Sequence, residues 1–130
     1  MLYIDSSAVV KLVIAERESD SLRSWLMARD EDLTSSIVLV AEASLAVRRM
    51  VPSVEAQRAL GSVLADIGLL HVDRAVAERA ARTDPPRLRA LDAIHLATAL
   101  SLEELSGLVT YDARLAGAAR AARLEVFAPS

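Results

Sequence analysis

The chain has 130 residues, 53% of them apolar, 3% aromatic and 25% charged, with no cysteine and a formal net charge of −3. One hydrophobic core of radius roughly 14 Å is expected, and disulfides, thiolate-held zinc, iron–sulfur clusters and thiol nucleophiles are excluded together. No apolar run is long enough to span a bilayer, and Met1-Leu2-Tyr3-Ile4-Asp5 lacks the basic start of a secretion signal, so a cytoplasmic protein with no membrane partner is expected.

Taken in chain order, Leu2 to Ile4 reads as a short strand and Asp5-Ser6-Ser7 as an N-cap cluster for a helix over Ala8 to Ala15. Asp20 or Ser21 can cap a second helix, with Leu22, Trp25, Leu26 and Arg29 on one face, that ends in the acidic turn Asp30-Glu31-Asp32. A short strand follows near Leu33. Thr34, Ser35 and Ser36 offer the next cap, and a helix over Ile37 to Met50 must stop before Pro52. Ser53 to Ile67 is amphipathic, Gly68 is placed to end it, and Leu69 to Val72 fits a buried parallel strand. Asp73 caps a helix over Arg74 to Arg82, and Thr83-Asp84-Pro85-Pro86-Arg87 is a surface loop too short to link domains. Leu91 to Leu105 reads as helix ended by Gly107, then come strand Leu108 to Thr110, turn Tyr111-Asp112, an Ala-rich helix over Ala113 to Arg123, and strand Glu125 to Phe127. Such alternation predicts an α/β fold over residues 1–130, a mainly parallel sheet with helices on both faces and ligands at the carboxyl ends of the strands.

Several acidic residues sit where they need an explanation. Glu42 lies inside Ile37 to Ala46 with Val38, Leu39, Leu45 and Ala46 on its side of the helix. An ionised carboxylate there requires an arginine such as Arg48 or Arg49, a hydrogen-bond network, or a metal. Asp5 and Asp112 each follow a strand and so project from the same sheet edge, where they serve either as helix caps or as ligand-binding groups. Asp92 begins a helix and pairs at i, i+3 with His95, which is read either as a satisfied core histidine or as a metal ligand. Together Asp5, Glu42, Asp92 and Asp112 make an oxygen-only set suited to Mg²⁺ or Mn²⁺ rather than zinc. Two divalent ions would cancel the four charges and admit an anionic phosphodiester. The chain's overall acidity does not oppose such a substrate: fourteen of its fifteen basic residues are arginine, and with those four carboxylates counted out the net −3 becomes +1.

Other chemistries lack their residues. Lys11 is the single lysine and no glycines precede it, so there is no phosphate-binding loop; G-x-G-x-x-G and G-x-S-x-G are both missing. Asp5-Ser6-Ser7 lacks the second Asp of an aspartyl-phosphate motif. A receiver-like signalling domain would require an acidic pair after the first strand and a late lysine, neither of which is present.

Four segments in order, Tyr3 to Leu12, the stretch around Glu42, Leu88 to Ala99, and Val109 to Leu115, resemble the PIN-domain ribonucleases and, within them, the VapC-type toxins of bacterial toxin–antitoxin pairs. The resemblance implies a Mg²⁺- or Mn²⁺-dependent endoribonuclease with Asp5, Glu42, Asp92 and Asp112 as catalytic and metal-holding residues, leaving a 5′-phosphate and a 3′-hydroxyl. It implies Ser6 or Ser7 and Thr110 as hydrogen-bonding supports of those carboxylates, a role compatible with ordinary capping and turn chemistry; Arg87, Arg89 and Arg114, near the loops of that site, are read either as contacts to RNA phosphate or as solvated surface residues. It further implies a homodimer and a VapB-type antitoxin seated in a groove that draws on Leu12, Leu22, Trp25 and Leu26, although core packing is the favoured role for Trp25. The alternative is a catalytically silent PIN-like module that binds RNA or protein.

Overall fold

In the computed structural model, which describes residues 1–83 and 88–130, the run Leu2–Ile4 forms β1 and divides the core into two layers. Side chains of a strand point alternately to opposite faces: Leu2 and Ile4 enter one apolar cluster and Tyr3 the other, all three fully buried. This is the environment of a central strand covered on both sides.

Five strands pair in parallel in the order β3-β2-β1-β4-β5, with β2 at Leu33–Ser36, β3 at Ile67–Leu70, β4 at Gly107–Val109 and β5 at Val126–Phe127. Leu2 stands opposite Leu33 on one side and Gly107 on the other. The chain winds outward from β1 through β2 to β3, then crosses to β4 and on to β5. Winding therefore reverses between β1 and β4, and it is at the carboxyl ends of strands at such a reversal that sheets of this kind bind ligands.

Helices fill both faces. Against Leu2 and Ile4 pack α1 (Ser6–Val13), α2 (Ser19–Arg29), α3 (Val38–Met50) and α4 (Val54–Ala65), through Ala8, Val9, Leu22, Leu39, Ala43, Val47 and Leu60. Leu39, Ala43 and Val47 are spaced at i+4, one stripe of α3 facing inward. On the other face Tyr3 and Leu108 meet α6 (Ala90–Leu100) and α7 (Ala113–Ala121) through Leu96, Ala99, Leu115 and Ala119. Between β3 and α6 in the chain, α5 (Arg74–Ala81) buries no residue and lies along α6. Each fully buried leucine contributes about 1.5–3 kcal/mol over its exposed state.

Asp5, Ser53, Asp73 and Asp112 cap α1, α4, α5 and α7 with their side chains, the role expected of Asp5 and Asp73 and one of the two open to Asp112, whereas Ser53 is expected inside its helix. Four expectations are corrected. Thr34 and Ser35 belong to β2, where their hydroxyls donate to the Gly68 and Ile4 carbonyls, and only Ser36 reaches a helix N–H. Gly68 does not stop α4, which ends at Ala65; it lies within β3, drawn in by pairing with Thr34. Neither Asp20 nor Ser21 caps α2, which starts at Ser19, whose hydroxyl accepts the Glu16 N–H at 2.9 Å. The helix expected to reach Leu105 ends at Leu100, where the Ser101 hydroxyl donates to the Thr98 carbonyl at 2.6 Å and competes with continued helix; Gly107 is then the first residue of β4. Of the expected loop from Thr83 to Arg87, residues 84–87 lie outside the described residues. Among the described residues no helix is long and apolar enough to cross a membrane.

Candidate active site

Asp5 leaves β1 at the reversal point and is held by three donors. Its Oδ1 accepts the Ala8 N–H at 3.2 Å and the Ser7 hydroxyl at 2.7 Å, while Oδ2 accepts the Thr110 hydroxyl at 2.6 Å. The side chain is buried, and that burial pushes the carboxyl's pKa up against the opposing pull of Thr110, Ser7 and the Ala8 N–H. After the neighbouring strand β4, Asp112 caps α7, accepting the Arg114 and Leu115 N–H groups at 2.9 and 3.0 Å. Ser7 and Thr110 stitch the two strand ends together: Ser7 Oγ accepts the Tyr111 N–H at 2.8 Å and Thr110 Oγ1 the Asp112 N–H at 3.1 Å. Capping and membership of one acidic site are therefore compatible at both aspartates.

Asp92 stands half-buried in the first turn of α6. Its pKa is pushed up first by burial and then by the charges of Asp112, Glu42 and Asp5, against the opposing pull of His95. Glu42 reaches it from α3. Arg48 and Arg49 lie about two turns further along α3 and are exposed; the partner of Glu42 is His95, whose Nε2 bonds Glu42 Oε1. His95 Nδ1 in turn lies 2.7 Å from the Tyr3 hydroxyl. The histidine is thus a satisfied core side chain, one helical turn beyond Asp92.

Among the described residues no three or more His, Asp or Glu side chains are arranged around a common point ready for a metal. One oxygen of Glu42 bonds His95, one of Asp112 the start of α7, and both of Asp5 protein donors. Asp92 receives no hydrogen bond from the described residues. The donor set is all-oxygen, the chemistry that fits a hard divalent cation.

The remaining predicted residues are placed as follows. Ser6 is half-buried at the start of α1, and among the described residues its hydroxyl makes no hydrogen bond. Arg89 and Arg114 are exposed at the starts of α6 and α7, next to the turns that carry Asp92 and Asp112; Arg87 lies outside the described residues. Of the expected groove residues, Leu22 is fully buried in the core, whereas Leu12, Trp25 and Leu26 are half-buried against it. Trp25 packs on Phe127 at 4.9 Å between ring centroids. Sequence reasoning missed Tyr3, yet a tyrosine between Leu2 and Ile4 in a buried strand signals a hydroxyl that must find a partner.

Comparisons with known proteins show the family and the fold. The model of the PIN domain family matches residues 2–121. A Mycobacterium tuberculosis protein named Ribonuclease VapC35 is 46% identical over 134 residues, covering 99% of this chain and 97% of that protein. Ribonuclease VapC46 of the same organism is 43% identical over 131 residues, covering 99% and 98%. Among solved structures, VapBC2 from Rickettsia felis bound to a DNA fragment from their promoter superposes with a TM-score of 0.76 over 100% of both chains, at 16% identity, a likeness of fold.

Proposed function

The chain belongs to the PIN-domain family, and from that premise we propose that it is a VapC-type endoribonuclease, the toxin of a type II toxin–antitoxin pair, that hydrolyses RNA at Asp5, Glu42, Asp92 and Asp112 with Mg²⁺ or Mn²⁺. The near full-length relatives named as ribonucleases support the activity. The observation that carries the reading is that Asp5 and Asp112 leave paired parallel strands and are tied together through Ser7 and Thr110. Two unit charges 4 Å apart at an effective dielectric near 20 repel by about 4 kcal/mol, so carboxylates drawn to that separation would call for a cation. A divalent ion held there would offset that repulsion and supply an acidic water for attack on the phosphodiester.

The chain's own residues supply placement. Ser7 and Thr110 fix the Asp5 carboxylate, and Asp112 keeps one oxygen on α7. Arg89 and Arg114 stand at the rim as phosphate contacts. A VapB-type antitoxin is the inhibitory partner of this reading, in keeping with the toxin–antitoxin assemblies among its structural neighbours; a homodimer in the cytoplasm completes it.

The test is calorimetric titration of Mg²⁺ and Mn²⁺ into the wild type and Asp92→Asn, followed by incubation of each with total cellular RNA. Metal binding and discrete fragments from the wild type alone are expected. A wild type that binds neither ion reduces the four carboxylates to caps and a histidine partner, and the silent interaction module replaces the nuclease. Copurification from the native operon should bring down a small partner with the chain; its absence would remove the antitoxin from the reading.

A further inference from the structure

Two buried polar side chains stand outside the carboxylate set yet connect to it. Tyr3 is 0% and His95 1% exposed, one on β1 and the other on α6. Burying a phenol and an imidazole is unfavourable unless their polar atoms are matched. Here they are: the Ser36 N–H donates to Tyr3 Oη at 3.0 Å, Tyr3 Oη lies 2.7 Å from His95 Nδ1, and His95 Nε2 meets Glu42 Oε1. The rings cross edge to face, with centroids 5.7 Å apart at 79°, so neither can turn without disturbing the other.

The two ends of this chain set its direction. A backbone N–H can only donate, and an ionised carboxylate can only accept. Nε2 therefore carries the proton that Glu42 receives. With the ring neutral, Nδ1 would accept from the Tyr3 hydroxyl, whose oxygen accepts from Ser36, and that one tautomer would satisfy every member.

We infer that Tyr3 and His95 form a positioning arm: the backbone at the end of β2, acting through the Tyr3 hydroxyl and the His95 tautomer, sets which oxygen of Glu42 is held by the protein and leaves Oε2 for the acidic site. The arm deepens the ribonuclease reading and rests on it. Glutamate has three side-chain torsions, so an untethered Glu42 would spread over many rotamers. A rigid, buried N–H donor selects among them. Neither Tyr3 nor His95 touches substrate in this scheme; both act through Glu42. Partners that orient a metal-binding group in this way typically change metal affinity by about 10–100-fold when removed.

The test joins ¹⁵N NMR of the histidine ring at neutral pH with Mn²⁺ titration of the wild type, Tyr3→Phe, His95→Gln and His95→Leu. The wild type is expected to show His95 as the Nε2–H tautomer. His95→Leu should bind Mn²⁺ about 10–100-fold more weakly. His95→Gln, which keeps an N–H donor for Glu42, should recover most of the loss. Tyr3→Phe, which deletes one oxygen, should lose the tautomer preference and weaken Mn²⁺ binding in the same direction. A folded His95→Leu with wild-type affinity overturns the arm, as does a ring protonated on Nδ1. If His95→Leu does not fold, Tyr3→Phe decides, and unchanged binding and tautomer there overturn the arm. A wild type that binds no Mn²⁺ overturns the ribonuclease reading and the arm with it, a result distinct from intact wild-type binding that the variants leave unchanged.

Discussion

Thr110 shows how much one hydroxyl can carry at this site. It is buried, donates to Asp5 Oδ2 at 2.6 Å and accepts the Asp112 N–H at 3.1 Å, so one oxygen atom serves a carboxylate from β1 and the backbone after β4. Valine has nearly the same shape and lacks both functions. Thr110→Val should destabilise the protein by about 1–3 kcal/mol at pH 7, because Asp5 loses a donor while remaining buried. Burial already holds the Asp5 pKa above its ordinary value, and losing Thr110 raises it further. A folded-state carboxyl with a raised pKa binds more protons than the unfolded chain, so stability falls as pH rises through that window. The deficit of the variant should therefore be largest at neutral pH and narrow as Asp5 becomes protonated toward about pH 4. Chemical denaturation at both pH values measures it, and a deficit that grows on acidification would contradict this account of Asp5.

At the scale of elements, the end of α7 is closed by a residue poorly suited to its backbone. Arg123 has φ 66°, in the left-handed region, while its N–H bonds the Arg120 carbonyl and the Leu124 N–H bonds the Ala119 carbonyl, the paired bonds of a Schellman motif. A side chain in that conformation costs roughly 1–2 kcal/mol. Arg123→Gly should accordingly raise stability by about 1 kcal/mol without touching the site. Gly107 carries the opposite constraint: a Cβ there would lie 2.5 Å from the Phe127 ring and 2.9 Å from the Glu125 carbonyl oxygen. The ring can give way but the backbone carbonyl cannot, so Gly107→Ala should cost about 1–3 kcal/mol. Because Trp25 packs on Phe127, its fluorescence reports this change directly. Both glycine effects show where local reading stops. Gly107 is legible from sequence as a break between elements, but its tight fit against β5 depends on a partner strand about twenty residues away. Elements set by short-range patterns, β1 with its Asp5 cap or α3 ending before Pro52, were legible. The extent of β2 and β3 was not, because cross-strand bonds from Thr34 and Ser35 override what the same residues favour as caps.

Over the whole molecule, sheet topology brings the ends of β1 and β4 side by side, and with them Asp5 and Asp112. Asp5 and Asp112 are recognisable from sequence because each follows a strand, and Glu42 because a carboxylate interrupts an apolar helix. The Ser36–Tyr3–His95–Glu42 chain was not legible, since it joins segments 33, 92 and 53 residues apart and no local pattern pairs them. The charges acting on Asp92 should also show in the stability of the folded chain. With no cation present, an ionised Asp92 is unfavourable in the fold: burial and three neighbouring charges raise its pKa, so stability declines as pH rises above the ordinary carboxylate value of about 3.9. Asp92→Asn removes that penalty while giving up part of the favourable interaction of a carboxylate with the start of α6. Allowing for solvent that screens a half-buried group, the metal-free variant should melt about 2–5 °C above the wild type at pH 7, the size expected for roughly 1 kcal/mol in a domain of this length. Cation binding reverses the order. A ligand that binds only the folded state, at about 100 times its dissociation constant, adds about 2.7 kcal/mol, so Mn²⁺ should raise the wild type above a variant that no longer holds it. Thermal melts in chelator and then in Mn²⁺, followed through Trp25, measure both halves. A variant less stable than the wild type in chelator would mean that Asp92 is favourably solvated rather than crowded. A wild type indifferent to Mn²⁺ would leave the crowding without a cation to relieve it.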